Sequence, residues 1–349
     1  MEITMRDRML AVLKGIEKDR IPFVIYDGMF PLEDLYKTLG KGHFGRLKWS
    51  SVHKVIHPNC RFETQQFFVK GNKKQRIYLH TPIGSIYEER AFEPAFDSSS
   101  IQKHFIQEKK DYQILWYYLN DCQILEDYET FYQDQSSLGD EGIPLVAVER
   151  TPYQQLWIQW VGLQDLSYHF SDYSEEVEQT IDILIKRARK IFKIAESSPT
   201  ILVDFPDNIT SLAIGPKRFR QYCVPLYDEL SDQLADRNIP VFVHMDGDLK
   251  VLWNDIANSK ISGLDSFSPA PDNDTTVEDA VRMFPGKILY INFPSSIHLR
   301  PYDAVRAEAE YIIKKTQHTQ KVQIQISENV PLNIWKTSFR AIIDAIEGR

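Results

Sequence analysis

Ile239-Pro240-Val241-Phe242-Val243-His244-Met245-Asp246-Gly247-Asp248-Leu249 decides how the chain is read. Its first half is apolar and β-branched, the character of a strand buried on both faces. The run then ends abruptly in polar groups. His244 and Asp246 are two residues apart, so in extended chain both side chains leave the same face. A helix is expected to begin just after, near Asp248. A buried strand that presents a nitrogen and an oxygen donor at a strand-to-helix turn is where α/β enzymes place their chemistry. The same residues also fit a helix-capping aspartate beside a hydrogen-bonded histidine, and spacing alone does not separate the two.

The segments on either side extend the pattern. Upstream, Phe219, Cys223, Leu226, Leu230 and Leu234 recur at helical spacing, which predicts a helix over 217–237 with Cys223 in its core face. Before it, Thr200–Val203 reads as a strand ending at Asp204, with Asp207 and Asn208 close behind. Downstream follow a helix over 249–257, a strand over 263–267, a helix near 276–283 and a strand over 287–291 that ends at Asn292. Pro301 opens a helix with Val305, Ala309 and Ile312 inward. A strand over 322–326 then ends at Ser327-Glu328, and Pro331 opens a last helix with Trp335, Phe339, Ile342 and Ile346 on one face.

Toward the N-terminus, a strand over 143–148 precedes an aromatic tract, Tyr153 to Trp160, and a long amphipathic helix over 175–195. Ile21–Tyr26 reads as the first strand and ends at Tyr26-Asp27-Gly28. Thr4 can cap a helix whose apolar face is Met5, Met9, Val12 and Leu13, with Gly15 as its stop.

Strands that alternate with helices mean a parallel sheet. The strand count is near eight, and no glycine-rich phosphate fingerprint follows the first strand. The expectation is a single (β/α)8 TIM barrel over 1–349 with an N-terminal helical extension. Residues 55–92 break the texture: apolar and polar residues alternate on both sides of the Gly71-Asn72 turn, which predicts an antiparallel β-hairpin insertion. In a barrel, polar groups at strand ends converge on one mouth, which would gather Asp27, Asp204, His244, Asn292 and Glu328.

Composition narrows the function classes. The chain has 349 residues, 43% of them apolar and 26% charged, as in soluble globular proteins. A formal net charge of −8 argues against a nucleic-acid binder, which needs a basic face. No stretch is long and apolar enough for a membrane span. The N-terminus carries charge where a signal peptide needs an apolar core, so the expected location is the cytoplasm. The three cysteines, Cys60, Cys122 and Cys223, are spaced neither for a zinc ribbon nor for a disulfide framework.

Several blocks together resemble the uroporphyrinogen decarboxylase superfamily, which includes zinc-dependent, cobalamin-linked methyltransferases. They are Met5 to Gly15 followed by Asp19-Arg20-Ile21-Pro22-Phe23; Asp207-Asn208-Ile209-Thr210; Gly215-Pro216-Lys217-Arg218-Phe219; His244-Met245-Asp246-Gly247-Asp248; Gly263-Leu264-Asp265; and Ser327-Glu328-Asn329-Val330-Pro331. In the methyltransferase branch the family pattern is His-x-Cys after a strand and another Cys after the last strand, together holding zinc. Here His244 matches, Asp246 stands at the first Cys position, and the second falls near Ser327-Glu328. The thiolates are absent, which makes the chain unlike a thiol methyltransferase. A His244, Asp246 and Glu328 set can still hold zinc, because imidazole and carboxylates build open catalytic sites. Harder ligands leave the metal a stronger Lewis acid, suited to an ether or alcohol oxygen.

The resemblance therefore implies an enzyme that removes a methyl group from a small, methoxylated substrate and passes it to cobalamin on a separate corrinoid protein. Asp27, Asp204 and Asn208 are the candidate catalytic residues. Tyr26, Trp157 and Asn292 are the candidate substrate contacts, and a homodimer is compatible with the sequence. Two alternatives stay open. A uroporphyrinogen decarboxylase-like lyase would need an Arg-rich pocket, and Phe23 to Asp27 carries no Arg. A non-catalytic ligand-binding barrel would have its His244, Asp246 and Glu328 dispersed, or salt-bridged to Lys or Arg.

Overall fold

The computed structural model describes residues 3–93 and 98–349. They fall into two compact units: Met1–Val52, Asp127–Val148 and Ala195–Arg349 form one, and His53–Glu126 with Glu149–Ile194 the other.

The first unit is the expected (β/α)8 barrel. Its strands are β1 (Phe23–Tyr26), β2 (Gly45–Ser50), β3 (Gly142–Ala147), β4 (Val203–Phe205), β5 (Val241–His244), β6 (Gly263–Phe267), β7 (Ile288–Asn292) and β8 (Val322–Ile326). All pair in parallel and close in the order β1-β8-β7-β6-β5-β4-β3-β2. Seven of them are legible in the sequence, and β2 is not. Gly45-Arg46-Leu47-Lys48-Trp49-Ser50 alternates cations with apolar residues and reads as a polar connection. In the barrel Leu47 faces the interior core, and the cations are neutralised on the other face. Arg46 Nε donates to Asp27 at 2.7 Å and Lys48 Nζ lies 2.8 Å from Asp134.

Other boundaries also move. The helix expected over 249–257 is a 3-10 turn, Lys250–Leu252, running into Trp253–Asn258. The last helix starts at Trp335 rather than at Pro331. β4 begins later than predicted, so Asp204 is its central residue and not a group beyond its end.

Period-two alternation sorts the barrel interior into two levels. The lower level is apolar: Val24, Leu47, Ile143, Leu202, Phe242 and Ile288 pack into one cluster. Gly263 is required there, since a Cβ would stand 2.6 Å from the Phe242 ring. The N-terminal helix, Met5–Lys14, closes this end. Thr4 and Asp7 form its capping box, and Gly15 stops it at φ 64°. Met9 and Val12 are fully buried in the interior cluster, each stabilising by roughly 1.5–3 kcal/mol. Gly45 lets the helix seat: a Cβ there would lie 2.9 Å from Met9 Sδ.

The second unit contains an antiparallel sheet of Arg61–Val69, Asn72–Thr81, Gly84–Glu93 and Ser98–Lys103. A separate pair joins His53–Ile56 to Gln123–Glu126. The antiparallel insertion is therefore present but longer than 55–92. Its fourth strand, Ser98-Ser99-Ser100-Ile101-Gln102-Lys103, has too little apolar content to announce itself. Helix Asp111–Asn120 and a helical stretch from Pro152 to Asp172 complete this unit, together with most of helix Ser174–Ser197. No helix among the described residues is long and apolar enough to cross a membrane.

Candidate functional site

Above the apolar level, the inward positions become largely polar. β1 supplies Tyr26, β4 Asp204, β5 His244, β6 Asp265, β7 Asn292 and β8 Gln325. Four of these, Asp204, Asp265, Asn292 and Gln325, are at most 1% exposed. Trp49 of β2 joins them: its ring centroid lies 5.4 Å from Tyr26 and 6.3 Å from His244.

His244 is the centre of the arrangement. Its Nδ1 is 3.0 Å from Asp265 Oδ2, and its Nε2 is 3.5 Å from Asp246 Oδ2. Asp265 also accepts from the Tyr26 hydroxyl through Oδ2 and from Gln325 Nε2 at 3.1 Å through Oδ1. Burial opposes a charge on the imidazole. The hydrogen bonds and charges of Asp246 and Asp265 outweigh it and hold His244 well above its usual range. Burial and the Asp265 charge push the Tyr26 phenol far up as well, so it stays a donor.

Asp246 is carried on the loop after β5, and that loop is tied on both sides. Ile209 N donates to His244 O at 3.1 Å, and Gly247 N to Ile209 O at 3.1 Å. A Cβ at Gly247 would meet Thr210 Cβ at 2.2 Å, so these two loops interlock only around glycine. Asn208, in the left-handed region at φ 51°, donates through Nδ2 to Asp246 Oδ2 at 2.8 Å. Asn273 Nδ2 holds the Asp246 carbonyl at 2.9 Å. For Asp246, burial acts upward, but His244 and the Asn208 amide bring its carboxyl below the usual range.

Glu328 follows β8. Its neighbour Ser327 is anchored by its N and Oγ to Asn292 Oδ1, at 3.1 and 3.0 Å, and hydrogen-bonds Ser266. Burial and the Asp246 charge raise the Glu328 carboxyl, with His244 acting against them.

Two groups of donor atoms result, each lying within 4.8 Å of one another: His244, Asp246 and Glu328, half-buried apart from the histidine, and Asp204, His244 and Asp265, fully buried. The first is the set singled out in the sequence. No Lys or Arg among the described residues forms a salt bridge with Asp246, Asp265 or Glu328. One imidazole and two carboxylates with no cation to neutralise them fit a divalent ion of the zinc type.

The remaining candidates are placed differently. Asp27 belongs to neither group. One residue past inward-facing Tyr26, it turns to the other face, where Arg46 binds it and Lys48 Nζ lies 4.0 Å away. Trp157 is in the second unit, in the π-helical turn Leu156–Trp160, and its indole N–H donates to Gln154 Oε1 at 2.7 Å. Asn208 and Asn292 act on loop residues, as described. Asp265, Gln325 and Trp49 were missed. The signal for Asp265 was its position: an aspartate in the middle of an otherwise apolar, fully buried strand needs partners inside the barrel.

Fold and site together define a parallel (β/α)8 barrel with a histidine–carboxylate cluster at the C-terminal mouth of its strands. The uroporphyrinogen decarboxylase (URO-D) family profile matches residues 168–348, more than half of the chain, and the chain belongs to that family. A methyltransferase from Methanosarcina mazei superposes with a TM-score of 0.60 over 99% of both chains at 13% identity, a likeness of fold. A B12-independent methionine synthase from Shewanella sp. W3-18-1, in complex with selenomethionine, gives a TM-score of 0.46 at 10% identity over 90% of this chain and 84% of its own. No curated protein matches the chain in sequence.

Proposed function

We propose that this protein is a methyltransferase that takes a methyl group from a small methoxylated substrate and delivers it to cobalamin on a separate corrinoid protein. His244, Asp246 and Glu328 would hold a zinc ion at the barrel mouth. The observation that carries the reading is the gathering of these three side chains at the open end of a URO-D-family barrel. Bound there, zinc would withdraw electron density from an ether oxygen and make it a better leaving group. An all-oxygen-and-nitrogen donor set matches a hard oxygen substrate better than a thiol.

The chain's own residues have separable tasks. Asn208 and Asn273 fix the loop that carries Asp246. Asn292 and Ser327 fix the start of the segment that carries Glu328. Tyr26 and Trp49 give the mouth an aromatic wall beside His244, suited to a flat substrate. In the reaction the substrate's methyl–oxygen bond would break, the methyl group would pass as a cation equivalent to the electron pair of the corrinoid co-substrate's cob(I)alamin, and the oxygen, keeping the bonding pair, would take a proton from water and leave as an alcohol or phenol.

Decarboxylation of a polycarboxylate fits less well. A mouth lined by Asp204, Asp246, Asp265 and Glu328 repels carboxylates, and Arg46 is already engaged by Asp27 and Glu141. The test is a screen of methoxylated aromatic compounds with cob(I)alamin as acceptor, followed by the spectral change to methylcobalamin. Turnover that requires added zinc and disappears in His244→Ala is expected. Turnover at the wild-type rate in His244→Ala, or release of CO2 from a carboxylated tetrapyrrole precursor, would overturn the proposal.

A further inference from the structure

The two donor groups share His244, and one imidazole cannot serve both in the same way. We infer that the buried group is no metal pocket, and that Asp265 is a positioning residue: it accepts the hydrogen bond of the His244 Nδ1–H and so presents Nε2 as the ligand nitrogen toward Asp246 and Glu328. This inference rests on the metal reading proposed above and decides where in the cluster the ion sits.

Three observations carry it. First, the Asp265 carboxylate is already occupied. Tyr26, His244 Nδ1 and Gln325 Nε2 all direct hydrogens at its two oxygens, from three different strands. An ion bound there would have to displace them and leave buried donors unpaired. Second, the Nε2 side is short of such partners. Asp246 Oδ2 is held by one amide, that of Asn208, and Glu328 has no hydrogen bond among the described residues. Third, a catalytic ion needs an open coordination position. Asp246 and Glu328 are partly exposed, whereas Asp204 and Asp265 have no exposed surface.

A carboxylate that receives the second ring N–H of a metal-bound histidine fixes its tautomer and ring angle and raises its basicity. Asp265 has that geometry, and Tyr26 and Gln325 keep its carboxylate from rotating. Asparagine at this position would retain size but could turn its NH2 toward Nδ1, which moves the ring proton to Nε2 and blocks it.

The experiment uses zinc alone. Its affinity is measured by chelator competition for the full-length wild type, Asp265→Asn, Glu328→Gln and Asp246→Asn, with urea unfolding of each apo-protein to establish that it is folded. The nitrogen bound by metal is read from imidazole 15N shifts of the cadmium-loaded wild type. The expected result is a 10- to 100-fold loss in Asp265→Asn, a larger loss in Glu328→Gln and Asp246→Asn, and metal at Nε2 with Nδ1 protonated. Metal at Nδ1, or no loss in Asp265→Asn, overturns the inference and leaves the metal reading standing. A loss in Asp265→Asn larger than in Glu328→Gln also overturns it and moves the ion to the buried group. Failure of the wild type to bind zinc removes both. Should Asp265→Asn fail to fold, the cadmium shifts of the wild type decide alone.

Discussion

At the N-terminal end of the barrel interior stand Val24, Leu202, Phe242 and Ile288; two residues further along the same strands stand Tyr26, Asp204, His244 and Tyr290. The same alternation places both sets inward, and both are nearly dry. They differ in what they require. The apolar level is satisfied by contact alone and closes around the N-terminal helix. The polar level needs partners for its buried groups, and it supplies them in part by hydrogen-bonding His244, Asp265, Tyr26 and Gln325 to one another, while the Tyr290 hydroxyl has none among the described residues. It still carries more carboxylates than cations. The lower level contributes packing, and the upper level is the acidic cluster on which the proposed metal role rests.

This contrast can be broken by substitution. Phe242→Ala empties the centre of the apolar level, and its unfolding free energy should fall by about 3–5 kcal/mol. The molecules that remain folded should bind zinc as the wild type does; urea titration and metal analysis of the same sample check both. His244→Ala, two residues away, should do the reverse. Zinc affinity falls by more than about 100-fold, while the unfolding midpoint of the apo-protein changes less than in Phe242→Ala.

A second histidine sharpens the point. His298 is as buried as His244, but it packs against Phe293 and Phe339, and its only hydrogen-bond partner among the described residues is the Ser338 hydroxyl, at 2.6 Å from Nδ1. Burial pushes it down to about 4, where carboxylates push His244 up. The unfolded chain therefore binds the extra proton between pH 6.5 and about 4, and the folded chain does not. Stability from this site is complete above pH 6.5 and drains away as pH falls toward 4, by up to roughly 3 kcal/mol. Unfolding at pH 7 and pH 4.5 should show a smaller acid loss in His298→Gln than in wild type. The smallest effect belongs to the plug: Thr4→Ala removes the capping box of Met5–Lys14 and should cost about 1 kcal/mol, measured by thermal unfolding, with zinc affinity unchanged.

Much of this was legible in the sequence, for physical reasons that can be named. Long apolar runs bounded by polar residues declare buried parallel strands, which is why seven of eight were found and the barrel followed. β2 was hidden because Arg46 and Lys48 find their counter-charges on Asp27, Glu141 and Asp134, pairings that no local pattern reveals. Asp27 was read as a mouth residue for the same reason: without β2, its ion pair was invisible. His244, Asp246 and Glu328 could be brought together from the sequence because each lies at or just past a strand end. Asp265 could not, since its role comes from three donors on three other strands. Sequence order locates strand ends well and interior networks poorly.

The most direct measurement is elemental analysis of the purified protein beside Glu328→Ala, both after dialysis against zinc and removal of the excess. Close to one zinc per chain is expected in the wild type and much less in the variant, with both proteins folded. A wild type that retains no metal, or a variant that retains as much as the wild type, would contradict it.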